Sequence, residues 1–353
     1  MTEFPRYDPR ETYRWNYEHA PEPVDVDVPE MPGDWYFCGK PVPSPLGIPA
    51  GPLLNGKWLL YYASLGFDIL TYKTVRSSAR ECYPLPNLQP VNCGQLVGGE
   101  TNLPAQHEMT GSWAVSFGMP SAEPDIWRKD IEQTRAKLSP EKILSVSVVA
   151  TEHEGWGMEE LAEDYALCAK WAVESGADAV ETNFSCPNVC TTDGQLYQSS
   201  VRAGEVAAAV REAIGEDVPF LVKIGHVNDE IPAALLLEAV APYISGIAMT
   251  NSVAATVEKE GELMFDGQKR GICGDATRTS SLRQTELFSR LIAHRGLNLA
   301  LIGVGGASTA EHVRAYLAAG AEQVHIASAA MADPGVTLSI KRAWAECESK
   351  EMV

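Results

Sequence analysis

The stretch Met158-Glu-Glu-Leu-Ala-Glu-Asp-Tyr-Ala-Leu-Cys-Ala-Lys-Trp-Ala-Val-Glu-Ser-Gly-Ala-Asp-Ala-Val-Glu-Thr-Asn183 contains a helix and the strand that follows it. Apolar residues recur at helical spacing over 158–175, and Gly176 is a stop signal directly after them. Residues 179–183 are then predicted to form a short buried strand. The same alternation of strand and helix patterns recurs along the chain, which indicates an α/β protein built from βα units around a parallel sheet.

Eight segments of the chain are predicted to be strands of this sheet. They are residues 46–50, 69–73, 143–149, 179–183, 220–224, 246–251, 299–303 and 323–327. Helical patterns follow most of them, at 57–65, 158–175, 201–214, 231–240, 281–294 and 309–319. Eight βα units favour a closed (β/α)₈ or TIM barrel over an open doubly wound sheet.

Two long insertions interrupt the repeat, at residues 76–142 and 253–280, and the first ends in a predicted helix over 124–138. Loops of this length in a compact domain are usually functional, so we expect them to be lids or substrate walls at the C-terminal rim. Residues 1–42 show no periodic pattern and are predicted to be an extension that wraps around the barrel formed by residues 43–353.

Composition limits the partners of the 353-residue chain. Its formal net charge of −19 argues against nucleic acid and against anionic membrane surfaces, because both require clustered Lys and Arg. The sequence shows neither an apolar stretch long enough to span a membrane nor a secretion signal. We therefore expect a cytoplasmic protein that acts on a small molecule.

A thiol lies between two amides in the segment Glu181-Thr-Asn-Phe-Ser-Cys-Pro-Asn-Val189, directly after a predicted strand. Cys186 can act as a base or nucleophile only as the thiolate, and Asn183 and Asn188 can hydrogen-bond a planar substrate beside it. Cys190 is close in sequence, and its role stays open. The strand followed by this loop is typical of an active site.

Polar and small residues stand at the carboxyl ends of several predicted strands, and therefore on one rim of the barrel. They are Ala50, Gly51, Lys73, Thr74, Asn183, Lys223, Asn251, Ser252, Gly305, Gly306, Ala327 and Ser328. The loops after strands seven and eight of such barrels commonly bind phosphate. A lysine in an apolar strand either forms a structural ion pair or stabilises negative charge on a cofactor, and spacing alone does not separate the two. Together these residues indicate a phosphorylated cofactor.

The histidines carry less information than the rim residues. His153 and His226 follow rim-ending strands, so contact with substrate is open for both. No His or Glu spacing typical of metal ligands is present, and no metal site is predicted.

Four motifs resemble those of the dihydroorotate dehydrogenases, over residues 43–338. They are the 181–188 segment, Ser116-Phe-Gly-Met-Pro120, Leu301-Ile-Gly-Val-Gly-Gly306 and Ala318-Ala-Gly-Ala321. The loop around Cys186 is also similar to one in dihydropyrimidine dehydrogenases. The resemblance implies a (β/α)₈ flavoprotein that binds FMN at this rim, and, by analogy with the soluble class 1 enzymes, a homodimer.

The resemblance also assigns roles to individual residues. It makes Cys186 the general base, which takes a proton from a saturated carbon while hydride passes from the neighbouring carbon to flavin N5. Lys73 would contact flavin and substrate, and Lys223 the N1/O2 edge of the flavin. Further cofactor contacts would be Ala50, Gly51, Thr74, Asn183, Gly274, Gly305, Gly306, Ala327 and Ser328. Substrate contacts would be Asn183, Asn188, Asn251 and Ser252.

Three positions depart from the family pattern. Val115 and Ser121 stand where the family has substrate-binding asparagines, and Asn87 stands where an arginine is expected. A missing polar partner changes substrate preference, so the resemblance implies oxidation or ene reduction of a related cyclic amide or an unsaturated acid, as well as of dihydroorotate. The direction of the reaction and the electron acceptor stay open.

Two other functions remain open from the residues. One is a flavin-free (β/α)₈ lyase or isomerase that uses Lys73 or Lys223 on a phosphorylated substrate. The other is a catalytically silent flavin-binding scaffold.

Overall fold

The computed structural model describes residues 4–151, 153–185 and 192–351. Eight parallel strands form a closed barrel in which strand order follows chain order. The strands are β1 (Leu46–Ile48), β2 (Ile69–Val75), β3 (Ile143–Val148), β4 (Ala179–Asn183), β5 (Phe220–Lys223), β6 (Gly246–Met249), β7 (Ala300–Val304) and β8 (Gln323–His325). The predicted barrel is confirmed, and each strand begins within one residue of the position expected from sequence.

Helices cover the outside of the barrel. The α-helices are Tyr13–Glu18, Gly56–Ser64, Pro124–Lys137, Met158–Glu174, Ser200–Ile214, Glu230–Val240, Arg278–Arg295, Ala310–Ala318, Ser328–Ala332 and Val336–Glu351. Single turns of 3₁₀ helix occur at Phe265–Gly267 and Asp275–Thr277. A longer 3₁₀ segment spans Thr192–Gln198. The sequence missed the first helix and the last two.

The amino-terminal end of the barrel is closed by a short antiparallel hairpin, Trp35–Phe37 with Lys40–Val42. Phe37 and Val42 pack against Ile69, Ile143 and Ala179, the first residues of β2, β3 and β4. The Cys38 amide also donates to the Glu322 carboxylate at 2.7 Å. This end is filled with side chains, which leaves the carboxyl-terminal rim for a binding site.

The two insertions form shared sheets above that rim. A four-stranded antiparallel sheet has the order Val253–Ala255, Arg270–Gly274, Ser112–Val115, Leu88–Pro90. A three-stranded sheet has the order Glu262–Leu263, Val257–Lys259, Leu103–Pro104. The expectation of loops was therefore incomplete. Two pairings, Ser112–Val115 with Arg270–Gly274 and Leu103–Pro104 with Val257–Lys259, join segments about 150 residues apart, and such pairing is set by tertiary contacts, which local sequence does not reveal.

The N-terminal segment lies against the helix Gly56–Ser64. Thr12 caps the helix Tyr13–Glu18 through its hydroxyl, which accepts from the Trp15 amide at 3.1 Å. The Trp58 indole donates to the Asn16 carbonyl at 2.9 Å, and the Asn55 amide to the Tyr17 carbonyl at 2.8 Å. These bonds fix the segment on the barrel, while its division from the barrel at residue 42 stays a prediction.

Candidate active site

A cavity of about 250 Å³ opens at the carboxyl-terminal rim. The structure brings together around it all the described residues that the sequence assigned to cofactor or substrate. These are Ala50, Gly51, Lys73, Thr74, Asn183, Lys223, Asn251, Ser252, Gly274, Gly305, Gly306, Ala327 and Ser328. Cys186, Asn188 and Cys190 lie outside the described residues.

A local irregularity of β2 brings two consecutive residues, Lys73 and Thr74, to the cavity. Regular strand pairing would turn neighbouring side chains to opposite faces of the sheet. The pairing of β2 with β3 is shifted between Tyr72 and Val75, and such an irregularity re-aims side chains. The Thr74 hydroxyl is hydrogen-bonded to that of Ser147 at 3.0 Å, which fixes its orientation.

The Lys73 ammonium lies between aromatic rings. Its Nζ is 4.7 Å from the centroid of the Phe117 ring and 5.3 Å from that of Tyr13. Contacts of this kind stabilise a cation that is largely removed from water, and Lys73 is buried. Tyr13 belongs to the short N-terminal helix, so the N-terminal segment contributes to the surroundings of a site residue, a contact that the sequence pattern does not predict. In the sequence, the signal for this helix is Thr12, which caps its N-terminus.

Lys223 both forms an ion pair and lines the cavity. Its Nζ lies 3.6 Å from Glu181 Oε1, and the two side chains are 3% and 1% exposed. Burial raises the pKa of Glu181, and the nearby Lys223 ammonium opposes that rise. The structural and cofactor interpretations of this lysine are therefore compatible.

Asn183 and Asn251 hold the backbone at the start of the thiol loop. Asn183 Oδ1 accepts from the Ser185 amide at 3.2 Å, and Asn251 Nδ2 donates to the Ser185 carbonyl at 2.8 Å. Ser185 immediately precedes Cys186. Two amides expected to face substrate thus also position the root of the loop.

The loop after β7 requires glycine at two consecutive positions. Gly305 has φ +142°, and a Cβ there would lie 2.9 Å from Thr277 Oγ1. Gly306 has φ +68°, and a Cβ there would lie 2.9 Å from the Gly274 carbonyl oxygen. Only glycine fits without displacement, and the bare backbone faces the cavity, as a phosphate cradle requires.

The two insertions supply an apolar wall. The first contributes Met109, Trp113, Val115, Phe117 and Met119, and the second contributes Cys273. Of the three positions that depart from the family pattern, Val115 alone is among the described residues that line the cavity.

The other two departures have local structural contacts. The Asn87 side-chain amide donates to the carbonyls of Tyr83 and Ser116, both at 2.9 Å. The Ser121 hydroxyl accepts from the Arg76 amide at 3.1 Å. Fewer of the changed positions therefore face the cavity than the sequence suggested: Val115 does, whereas Asn87 and Ser121 do not line it.

Neither candidate histidine is among the described residues of this cavity. His226 lines a separate cavity with Arg283 and Arg290. The His153 ring packs against the Trp156 ring, with centroids 4.6 Å apart.

The model of the family described as dihydroorotate dehydrogenase matches residues 35–347. The chain belongs to this family. A dihydroorotate dehydrogenase of Dictyostelium discoideum is 28% identical over 95% of this chain and 96% of its own length. A dihydroorotate dehydrogenase (quinone) of Kineococcus radiotolerans is 27% identical over 89% of each chain. As a member of the dihydroorotate dehydrogenase family, this protein is an oxidoreductase that acts on CH–CH groups.

A solved structure gives independent support for the fold. The crystal structure of DHODH in complex with ferulenol from Eimeria tenella has a TM-score of 0.71 to this chain. It covers 96% of this chain and 90% of its own, at 15% sequence identity. At that identity the likeness concerns the barrel architecture.

Proposed function

We propose that this dihydroorotate dehydrogenase family member uses FMN to oxidise dihydroorotate or a closely related cyclic amide at a C–C single bond, with Cys186 as general base. The observation that carries the proposal is the convergence of both lysines, the rim asparagines and the glycine loop on one cavity. Bound FMN supplies hydride acceptance at N5. The remaining chemistry, which includes binding, orientation and proton removal, belongs to residues of the chain.

The residues present fit FMN. Gly305 and Gly306 present bare backbone at one end of the cavity, with Ala327 and Ser328 lining it as well, which suits the phosphate. Lys223 lines the cavity and suits an edge where reduction accumulates negative charge. Ala50, Gly51, Thr74, Asn183 and Gly274 complete the proposed cofactor contacts.

The substrate would be held by Lys73, Asn183, Asn188, Asn251 and Ser252. Cys186 would remove the proton, because a thiolate is a competent base and its loop begins at Ser185, which the two rim asparagines hold. Val115 replaces one polar partner with an apolar surface. We therefore expect dihydroorotate to bind more weakly than in family members that have asparagine there.

The alternatives are less favoured. A lyase that forms a Schiff base needs a neutral lysine amine, whereas Lys223 is paired with Glu181. Family membership supports the redox function over this one. A homodimer and a cytoplasmic location remain part of the proposal. Among the described residues, every helix is too short or too polar to cross a membrane.

The test is anaerobic and spectroscopic. The purified protein should show flavin absorbance, and heat should release FMN. Addition of dihydroorotate should bleach the flavin band, and a panel of dihydropyrimidines and enoic acids tests related substrates. A colourless protein that does not bind added FMN would refute the proposal. If the bound flavin were reduced by another compound of the panel and not by dihydroorotate, the proposed substrate would change and the proposed flavin chemistry would stand.

A further inference from the structure

A carboxylate lies inside the barrel directly below the lysine that lines the cavity. Glu181 on β4 is register partner to Leu221 on β5, and Asn183 is partner to Lys223. Because side chains alternate along a strand, Glu181 and Asn183 point to the same side of the sheet, with Glu181 one level further from the rim. Asn183 and Lys223 line the cavity, whereas Glu181 is fully buried beneath it.

Neither oxygen of Glu181 has a close hydrogen-bond partner among the described residues, although the Lys223 ammonium and the Ser147 hydroxyl both oppose the rise in its pKa that burial causes. Its nearest described charge is Lys223, with Nζ 3.6 Å from Oε1. Ser147, the register partner of Glu181 on β3, has its hydroxyl bonded to Thr74. A carboxylate buried in this way depends on the lysine for compensation of its charge.

His325 on β8 is the other titratable group near this pair. It is fully buried, and burial followed by the Lys223 charge lowers its pKa to about 3. The ring is therefore neutral near pH 7 and adds no positive charge for Glu181. Among the described residues, the balance of charge under the cavity is set by Glu181 and Lys223.

We infer that Glu181 is a positioning residue: it anchors the Lys223 ammonium at the floor of the cavity and offsets part of its charge. This inference rests on the proposed FMN site. With Glu181 in place, the cofactor faces a paired lysine, which stabilises the extra negative charge of reduction less than an unpaired ammonium does. Glu181 thus holds the reduction potential of the bound flavin down.

The experiment measures the midpoint potential of bound FMN by anaerobic dye titration in the wild type, Glu181→Gln and Glu322→Gln. The glutamine keeps the size of the side chain and removes its charge. Glu322 is the matched control, because it is a half-buried carboxylate at the amino-terminal end of the barrel that contacts the Cys38 amide. We expect a positive shift for Glu181→Gln that Glu322→Gln does not show. Equal potentials in all three proteins would overturn the inference.

If the single variant Glu181→Gln does not fold, a second comparison tests the same substitution in a protein that also carries Lys223→Gln. In a Lys223→Gln background the carboxylate has lost its cation and should take up a proton, so adding Glu181→Gln should leave the potential unchanged. A clear shift between Lys223→Gln and the double variant would contradict action through Lys223. If the wild type bound no FMN, the proposed function would fail first. If FMN bound normally and Glu181→Gln did not alter its potential, the role of Glu181 would be rejected and the proposed function would stand.

Discussion

Asn251 Nδ2 donates a hydrogen bond of 2.8 Å to the carbonyl oxygen of Ser185, which joins the segment after β6 to the residue before Cys186. The Asn183 side-chain oxygen accepts a hydrogen bond of 3.2 Å from the amide of Ser185, in the preceding peptide unit. The backbone that leads into the thiol loop is therefore fixed at both its donor and its acceptor. The loop begins from a defined position even before substrate binds.

Asn251→Ala should slow substrate-driven flavin reduction by about fivefold, because one hydrogen bond is worth about 1 kcal/mol and about 1.4 kcal/mol corresponds to a factor of ten. FMN affinity should change much less. Stopped-flow reduction and a fluorescence titration measure the two quantities. Asn228→Ala is the control, since Asn228 lines the separate cavity. Equal rates in the wild type and Asn251→Ala would count against the positioning role.

Cys186→Ala should lower the rate of flavin reduction by roughly 10²–10⁴, the usual contribution of a general base, with FMN binding retained. Because only the thiolate accepts a proton, the wild-type rate should rise with pH until the thiol is ionised. Cys273→Ser is the matched control, since this thiol lines the cavity on the wall formed by the second insertion. If Cys273→Ser abolished reduction and Cys186→Ala did not, the base would have been assigned to the wrong cysteine.

The barrel was predictable because its signals are local. Glycines such as Gly176 end helices, and strands such as Phe220–Lys223 are short and largely apolar, so each unit is recognisable within about 25 residues. The rim residues follow from the same pattern, because parallel strands all end at one edge. The sequence alone therefore predicts that these rim residues surround one cavity.

The substrate wall and the N-terminal contact were not predictable, because both depend on contacts between distant residues. Val115 pairs with Gly271 across the shared sheet, and the Tyr13 ring faces the Lys73 ammonium although the two residues are 60 positions apart. Neither relation leaves a periodic trace in sequence. The same holds for Asn87 and Ser121, whose separation from the cavity appears only in the folded chain.

Val115→Asn should improve dihydroorotate binding, because it restores a polar partner at the one altered position that lines the cavity. A single added hydrogen bond predicts a decrease in KM of up to about tenfold. Ser121→Asn is the control, because its hydroxyl serves the Arg76 amide and does not reach the cavity. Steady-state kinetics with dihydroorotate distinguish the two variants. An improvement in Ser121→Asn alone would show that the substrate approaches from another direction.

Tyr13→Leu should weaken the surroundings of Lys73, because it removes one of the two rings that face the ammonium. A contact of about 0.5–2 kcal/mol predicts up to about 30-fold higher KM, whereas Tyr13→Phe keeps the ring and should resemble the wild type. Tyr36→Leu is the control on an exposed tyrosine of the hairpin. A KM for Tyr13→Leu that matched this control would leave the N-terminal segment without a role at the site.

His325 should make the protein sensitive to acid. Its pKa in the folded state is lowered to about 3, first by burial and then by Lys223, whereas in the unfolded chain it is near 6.5. Between these values the unfolded state binds the additional proton. Stability is therefore lost as pH falls from about 6.5 towards about 3, with a slope from this residue of up to about 1.4 kcal/mol per pH unit.

His325→Asn should reduce that slope, whatever it does to stability at neutral pH through altered packing. Urea unfolding at pH 7, 6, 5 and 4 gives the free energy of unfolding for the wild type, His325→Asn and the exposed-site control His294→Asn. We expect the curves of the wild type and the control to fall in parallel and that of His325→Asn to fall less steeply. Three parallel curves would mean that the buried ring takes up its proton as readily in the folded protein as in the unfolded chain, which its position inside the barrel argues against.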